Sequence, residues 1–307
     1  MRKAFCDALV ELSEEEPFFF LTGDLGFMAL EPLQRALGSS FINAGVAEQN
    51  MVSVAAGMAR AGAKPWVYSI APFCYARPFE QIRNDVCLNG LGVRLVGNGG
   101  GYGYGSMGAT HHALEDYGVL STLQGLRTYL PAFDADLRPM VRALAARTAP
   151  SYLRLGRSEL DEERGLPPYS AWRCLQDGGA GVIVVGGPIA GALWRATRDR
   201  AAAERPALWV LSELGGDAPP MAMPEALLDA IAAAPALGLV EEHVAPGGLG
   251  QQLLHALALG GQPLPRVVHA HARGYPSGRY GSQNWHRREC GLDVPAILRQ
   301  LAGEGRP

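Results

Sequence analysis

No stretch of this 307-residue chain is apolar for long enough to span a bilayer, and no C-x-x-C pair occurs in it. The first absence argues against a membrane-spanning protein. The second removes the usual redox and zinc signatures. The five cysteines, Cys6, Cys74, Cys87, Cys174 and Cys290, are odd in number and far apart. They read as reduced thiols of a cytoplasmic protein rather than as a disulfide framework. A run of charge of one sign is also missing. The formal net charge is −3 with acids and bases interspersed, which leaves no basic stripe for nucleic acid and no membrane-seeking basic face. The opening residues, Met1-Arg2-Lys3-Ala4-Phe5-Cys6-Asp7, carry charge before any apolar run forms, so no signal peptide is expected. What the chain does have is apolar mass. Hydrophobic residues make up 48% of it, and its length suits about two domains at the usual ~100–200 residues each.

Short apolar runs alternate with longer helical patterns. Strands are expected at Phe18–Thr22, Trp66–Ile70, Val93–Gly97 and Tyr152–Leu155, with helices at Val52–Ala61 and Phe79–Cys87. Such alternation predicts an α/β fold with a largely parallel sheet. A polar, proline-bearing run from Ser158 to Pro168 then interrupts the pattern. The pattern restarts at Gly181–Gly186, with further strands expected at Leu208–Leu211, Leu237–Val240 and Val267–Ala270. The expected organisation is a first domain over 1–160, a linker over 161–175 and a second domain over 176–307. Each domain is expected to be a mostly parallel sheet flanked by helices.

Asn43-Ala44-Gly45-Val46-Ala47-Glu48-Gln49-Asn50-Met51 puts one carboxylate at the mouth of a loop, directly before a small-residue apolar helix. Downstream come Ser69-Ile70-Ala71-Pro72-Phe73, then Arg77-Pro78-Phe79-Glu80-Gln81-Ile82-Arg83-Asn84-Asp85, then Gly108-Ala109-Thr110-His111-His112. In that order and at those separations they resemble the pyrimidine-binding half of a transketolase, a thiamine-diphosphate-dependent family. The resemblance runs over nearly the whole chain. It implies the thiamine-diphosphate-binding fold for the first domain and a transketolase C-terminal domain for the second.

The resemblance also assigns roles. Glu48 matches the acid that bonds ring atom N1′ of the cofactor's aminopyrimidine, and the cofactor supplies the carbanion chemistry. Burial raises the pKa of such an acid and a helix N-terminus lowers it. The bland account of Glu48 is a helix-start carboxylate serving the macrodipole. Phe73 matches the aromatic that stacks on the aminopyrimidine, where a flat apolar face suits a flat ring. Ile70 stands where relatives carry an earlier aromatic, so the pocket wall stays apolar but loses a ring. Asp24 and Leu25 match a pair near the thiazolium. His111 matches a histidine that faces the substrate and helps its proton transfers, work suited to an imidazole near neutral pH. His112 adds a second imidazole at the same place, with its role open. The two adjacent histidines make a poor zinc site, since no cysteine or carboxylate falls at ligand spacing.

Two glycine-rich stretches carry weaker signals. Gly103, Gly105 and Gly108 formally match G-x-G-x-x-G, but the loop from Gly97 to Gly108 is too long for a Rossmann turn and reads as a mobile active-site loop. Gly247-Gly248-Leu249-Gly250 lacks the third glycine of that fingerprint and reads as a tight turn with close helix packing.

The resembled family holds the diphosphate and its divalent metal on a Gly-Asp-Gly motif with a downstream Asn. No Gly-Asp-Gly occurs here. The resemblance therefore implies the C-terminal subunit of a split, two-component transketolase. Its partner would be an N-terminal subunit that carries Gly-Asp-Gly and holds Mg2+ or Ca2+. No metal ligand set is expected in this chain, and an α2β2 heterotetramer is. The activity implied is transfer of a two-carbon ketol or acyl unit. The alternatives are the β-subunit of a 2-oxoacid dehydrogenase or decarboxylase, and a non-catalytic regulatory protein on this scaffold. Departures from the family bear on the substrate. Met107 replaces an Asp that bonds a sugar hydroxyl. Gly99 and Met28 fall where a phosphate-binding His and Ser stand. Arg157 still matches a phosphate-binding position. These departures imply that ordinary sugar phosphates are poor acceptors.

Overall fold

A computed structural model describes every residue except 27, 161–162, 164, 216–221 and 305–307. Three positions of the expected linker, 161, 162 and 164, thus lie outside the described residues. Among those described, the strands are β1 (Phe19–Thr22), β2 (Phe41–Asn43), β3 (Pro65–Ile70), β4 (Arg94–Asn98), β5 (Arg127–Tyr129), β6 (Ser151–Leu155), β7 (Trp172–Gly179), β8 (Val182–Val185), β9 (Pro206–Leu211), β10 (Glu213–Gly215), β11 (Ala236–Val240) and β12 (Arg266–Ala270). They form two sheets, ordered β10-β5-β6-β4-β3-β1-β2 and β12-β11-β8-β9-β7. All pairings are parallel except β10 with β5 and β7 with β9. The α/β class expected from the alternating pattern is the class observed.

The first sheet is covered on both faces, which is why its strands read as near-continuous apolar runs. Successive side chains point to opposite sides. Phe20, Trp66 and Tyr68 meet Phe5 and Leu9 of the helix Arg2–Glu15 and Met140 and Leu144 of the helix Leu137–Ala146. Leu21, Val67 and Leu95 meet Met51, Val52 and Ala55 of the helix Glu48–Arg60. That helix starts four residues earlier than expected, so Glu48 is its first helical residue rather than part of the preceding loop. The segment expected as one helix at Phe79–Cys87 is an α-turn, Phe79–Gln81, followed by a π-helix, Ile82–Cys87.

The two sheets are not independent. Strand β10 comes from the second half of the chain yet closes the edge of the first sheet, pairing Leu214 with Thr128. A buried ionic fork then ties the halves together. Arg154 donates from Nε to Asp116 at 2.7 Å, and from Nη2 to the carbonyls of Ala113 at 2.8 Å and Glu242 at 2.9 Å. Tyr152 adds a hydroxyl donor to Asp116 at 2.9 Å. The loop after β4 is anchored to this fork. Gly101 and Ala113 bridge each other, and the Tyr102 amide donates to Glu242 at 2.6 Å. A Cβ on Gly100 would fall 2.5 Å from Arg154 Nε, and one on Gly101 would fall 2.4 Å from Glu242 Oε1. The glycines permit close approach to two charged side chains. The expected mobile loop is in fact tied down at both ends.

The second glycine stretch behaves as its sequence implied. Glu241 accepts from the amides of Leu249 at 2.7 Å and Gly250 at 2.8 Å, at the start of the helix Leu249–Leu259. An internal carboxylate thus occupies the helix N-terminus that a phosphate would need.

Removing one partner of a buried ion pair costs about 3–5 kcal/mol, while replacing both by apolar groups is often neutral. Arg154→Met should therefore lower the denaturant midpoint strongly, and Arg154→Met combined with Asp116→Leu should recover part of the loss. Equilibrium unfolding of the two variants checks this.

Candidate active site

The loops that carry the expected site residues leave the carboxyl ends of parallel strands, the usual place for ligands in open α/β sheets. Asp24 and Leu25 follow β1, Glu48 follows β2, Ile70 ends β3, and the loop carrying Met107, His111 and His112 follows β4. Asn43 fixes two of these loops together. Its Nδ2 donates to Asp24 at 3.1 Å, and its Oδ1 accepts from the Gly45 amide at 2.9 Å. The next turn opens the helix on which Glu48 stands.

Glu48 is buried, with 5% of its surface exposed. Both of its carboxylate oxygens accept from Arg77 Nη1 at 3.0 Å. The same guanidinium lies over the Phe73 ring, its Cζ 3.8 Å from the ring centroid. On the other flank, the Phe73 and His111 rings meet at 5.2 Å and 67°. His111 in turn lies 5.9 Å from the Tyr104 ring. The structure thus joins Glu48, Arg77, Phe73, His111 and Tyr104 into one continuous wall. A buried acid, a flat apolar ring and an imidazole sit in line, which suits an aromatic, nitrogen-bearing ligand.

His111 Nδ1 is engaged by Thr110 Oγ1 at 2.9 Å, and no hydrogen bond to its Nε2 is made among the described residues. His112 does not join this wall. It is buried, with Nδ1 3.0 Å from the Tyr275 hydroxyl and Nε2 2.8 Å from the Gly105 carbonyl. Burial lowers its pKa below the usual histidine value. Its Nδ1 reaches across to the second half of the chain, while its Nε2 closes its own loop on Gly105. Met107 is half exposed at the end of the 3-10 turn Gly105–Met107. Cys74 is fully buried, and burial pushes its thiol up to about 12, so it is an inert packing thiol. All five cysteines are free.

Behind Tyr104 opens a cavity of about 830 Å3 that brings together Met28, Gly99 and Arg157 with Arg2 and Lys3. Sequence reasoning singled out the first three and missed the last two, the first residues of the helix Arg2–Glu15. Tyr104 fills the place beside Gly99, where an added Cβ would fall 2.2 Å from its ring. Asn98 holds that ring, donating to the Tyr104 hydroxyl at 2.8 Å. Burial keeps the Tyr104 pKa above the usual phenol value, so the hydroxyl stays protonated. Arg77 was also missed, although it stands four residues after Phe73. That is a one-turn spacing that brings two side chains together. Among the described residues, no group of three or more His, Cys, Asp or Glu side chains could hold a metal ion, and no helix is long and apolar enough to cross a membrane.

Residues 1–162 match the family described as "Transketolase, pyrimidine binding domain". The chain is 36% identical over 163 residues to one subunit of the apulose-4-phosphate transketolase of Phocaeicola vulgatus, an alignment covering 52% of each. It is 29% identical over 283 residues to the like-named subunit from Actinobacillus succinogenes, covering 88% of this chain and 86% of that one. The alignment thus spans about half the length of the first relative and most of the second. Among solved structures, a split-gene transketolase described as an inactive β4 tetramer superposes with a TM-score of 0.81 at 27% identity, covering 99% of this chain and 98% of that one. The chain belongs to the transketolase family, through a pyrimidine-binding domain that spans residues 1–162.

Proposed function

We propose that this chain is the pyrimidine-binding, C-terminal subunit of a two-component, thiamine-diphosphate-dependent transferase. A partner chain carrying Gly-Asp-Gly would hold the diphosphate and its Mg2+ or Ca2+. The observation that carries this reading is that one guanidinium spans both Glu48 and Phe73. An acid and a stacking ring so placed are set to hold a single planar group between them. Residues 1–160 and 176–307 are taken as the two domains, with 161–175 between them. An α2β2 assembly in the cytoplasm fits the reading. Its support is the family match, the two transketolase subunits and the split-gene structure.

Thiamine diphosphate, when bound, supplies the electron sink for moving a two-carbon ketol or acyl unit between carbonyl compounds. This chain's residues do the rest. Glu48 holds a proton at pyrimidine N1′. Phe73 stacks on the ring, Ile70 closes the apolar wall, and Asp24 and Leu25 line the thiazolium side. His111 Nε2 gives or takes the substrate proton. His112 is left out, because both of its nitrogens are engaged. On the acceptor side, Arg157 lines the cavity behind Tyr104. The neutral residues Met28 and Gly99 supply no charged phosphate contact there, and Met107 offers a thioether where a carboxylate would accept a hydroxyl. Charge-assisted bonds are worth about 1.5–3 kcal/mol each, so a sugar phosphate held at the Met28 and Gly99 positions is weakened, while Arg2, Lys3 and Arg157 leave the cavity cationic for an anion placed differently. The substrates are therefore taken to be other than ordinary pentose and hexose phosphates.

The purified chain alone should show no turnover, and mixing it with its Gly-Asp-Gly partner should restore activity. Full activity from the single chain would remove the two-component reading. In the reconstituted enzyme, Glu48→Gln keeps the shape but not the acid, and turnover should fall ~100-fold or more, the scale of lost acid–base catalysis. Assembly, followed by size-exclusion chromatography, should be unaffected. Ribose 5-phosphate with xylulose 5-phosphate should be a poor substrate pair. A kcat/KM at or above ~10⁴ M⁻¹s⁻¹, within the ordinary enzyme range, would show that Met28, Gly99 and Met107 do not exclude sugar phosphates.

A further inference from the structure

The Arg77 guanidinium makes the two contacts that the functional reading assigns to the aminopyrimidine. Its Cζ lies over Phe73, 3.8 Å from the ring centroid, and its Nη1 donates to both oxygens of Glu48 at 3.0 Å. Guanidinium and aminopyrimidine are both planar groups that carry N–H donors. A ring that stacks on the same face of Phe73 and bonds Glu48 needs the volume this guanidinium fills. The two cannot occupy it together.

We propose that Arg77 is a built-in occupant of the pyrimidine pocket, one that caps Glu48 and Phe73 in the empty subunit and is displaced by the cofactor on loading. The proposal rests on the thiamine-diphosphate reading above and extends it to a competitor within the chain.

Three observations fit a removable cap rather than a permanent strut. The Arg77 side chain keeps 45% of its surface exposed while that of Glu48 keeps 6%, so the acid is fixed and the cation is the part able to leave. A single nitrogen, Nη1, makes both bonds to Glu48. The stronger two-nitrogen fork that Arg forms with a carboxylate is not used. Among the described residues, Glu48 is the only hydrogen-bond partner of the Arg77 side chain. By contrast, Arg154 and Arg94 each bond three or more partners and are buried. The cap also has a use. Without it, a buried carboxylate would face the empty pocket unpaired, which is costly. The guanidinium compensates Glu48 until a ring with its own N–H donor arrives.

A site that is open only part of the time binds with its intrinsic affinity reduced by the open fraction. With the open form at about a tenth to a third of the population, deleting the cap should lower the apparent Kd ~3- to 10-fold. The test is calorimetric titration of thiamine diphosphate, with Mg2+, into the reconstituted complex carrying wild-type chain, Arg77→Ala or Arg77→Gln. The glutamine variant keeps a planar end without charge and covers the case in which alanine assembles poorly. Tighter binding in either variant, with assembly intact by size-exclusion chromatography, is the expected result. Unchanged or weaker binding in both would overturn the proposal and make Arg77 a supporting residue of the loaded site. A wild-type complex that bound no thiamine diphosphate would overturn the functional reading, and the proposal with it.

Discussion

A single buried guanidinium, that of Arg154, ties the loop that carries Tyr104 and His111 to the second half of the chain. Its Nε neutralises Asp116, and its Nη2 reaches a carbonyl from each half of the chain, Ala113 and Glu242. In this fork Asp116 Oδ2 takes the bonds from both Arg154 and Tyr152, while its Oδ1 is buried without a hydrogen-bond partner among the described residues. A charge removed from water is costly unless paired and hydrogen-bonded. Those requirements draw the Gly101–Ala113 loop and the second sheet to one point. The loop carrying Tyr104 and His111 is therefore held against the end of β4. His111 then reaches Phe73 without needing a dedicated bond to it.

The same constraint explains the glycines between 97 and 108. Gly100 and Gly101 stand where a side chain would strike Arg154 or Glu242. Gly99 stands where the Tyr104 ring has moved in. A sequence rich in glycine at this place suggests phosphate binding or mobility. Here it reflects close approach of backbone to charged groups at the junction. The corresponding anion-binding position in the second half, the start of the helix Leu249–Leu259, is filled by Glu241.

Much of the fold was legible because the first sheet is buried on both faces, so strands such as Trp66–Ile70 stand out as apolar runs. What stayed hidden had weak or remote signals. The helix at Glu48 begins after Ala47, which offers no capping side chain to mark the start. Strand β7 is partly exposed and broken by irregularities near Gln176, which spoils its alternation. Strand β10 is three residues long and pairs with a segment more than eighty positions away, a contact no local pattern announces. At the site, Glu48, Phe73 and His111 were visible as motif residues. Arg77 was visible only as part of a string, because its partner lies 29 positions away. His112 looked equivalent to His111 in sequence, yet the chain turns so that one imidazole meets Phe73 and the other Tyr275.

Every role proposed for this chain depends on Glu48 being the acid of a cofactor site that the chain forms only in part. A structure of the reconstituted complex with thiamine diphosphate bound, by electron cryo-microscopy or crystallography, decides that point. A Glu48 oxygen should lie within hydrogen-bond reach of pyrimidine N1′, about 2.6–3.2 Å, with the diphosphate and metal on the partner chain. A pyrimidine bonded at N1′ by some other group, with Glu48 remote from the ring, would remove Glu48 from the chemistry.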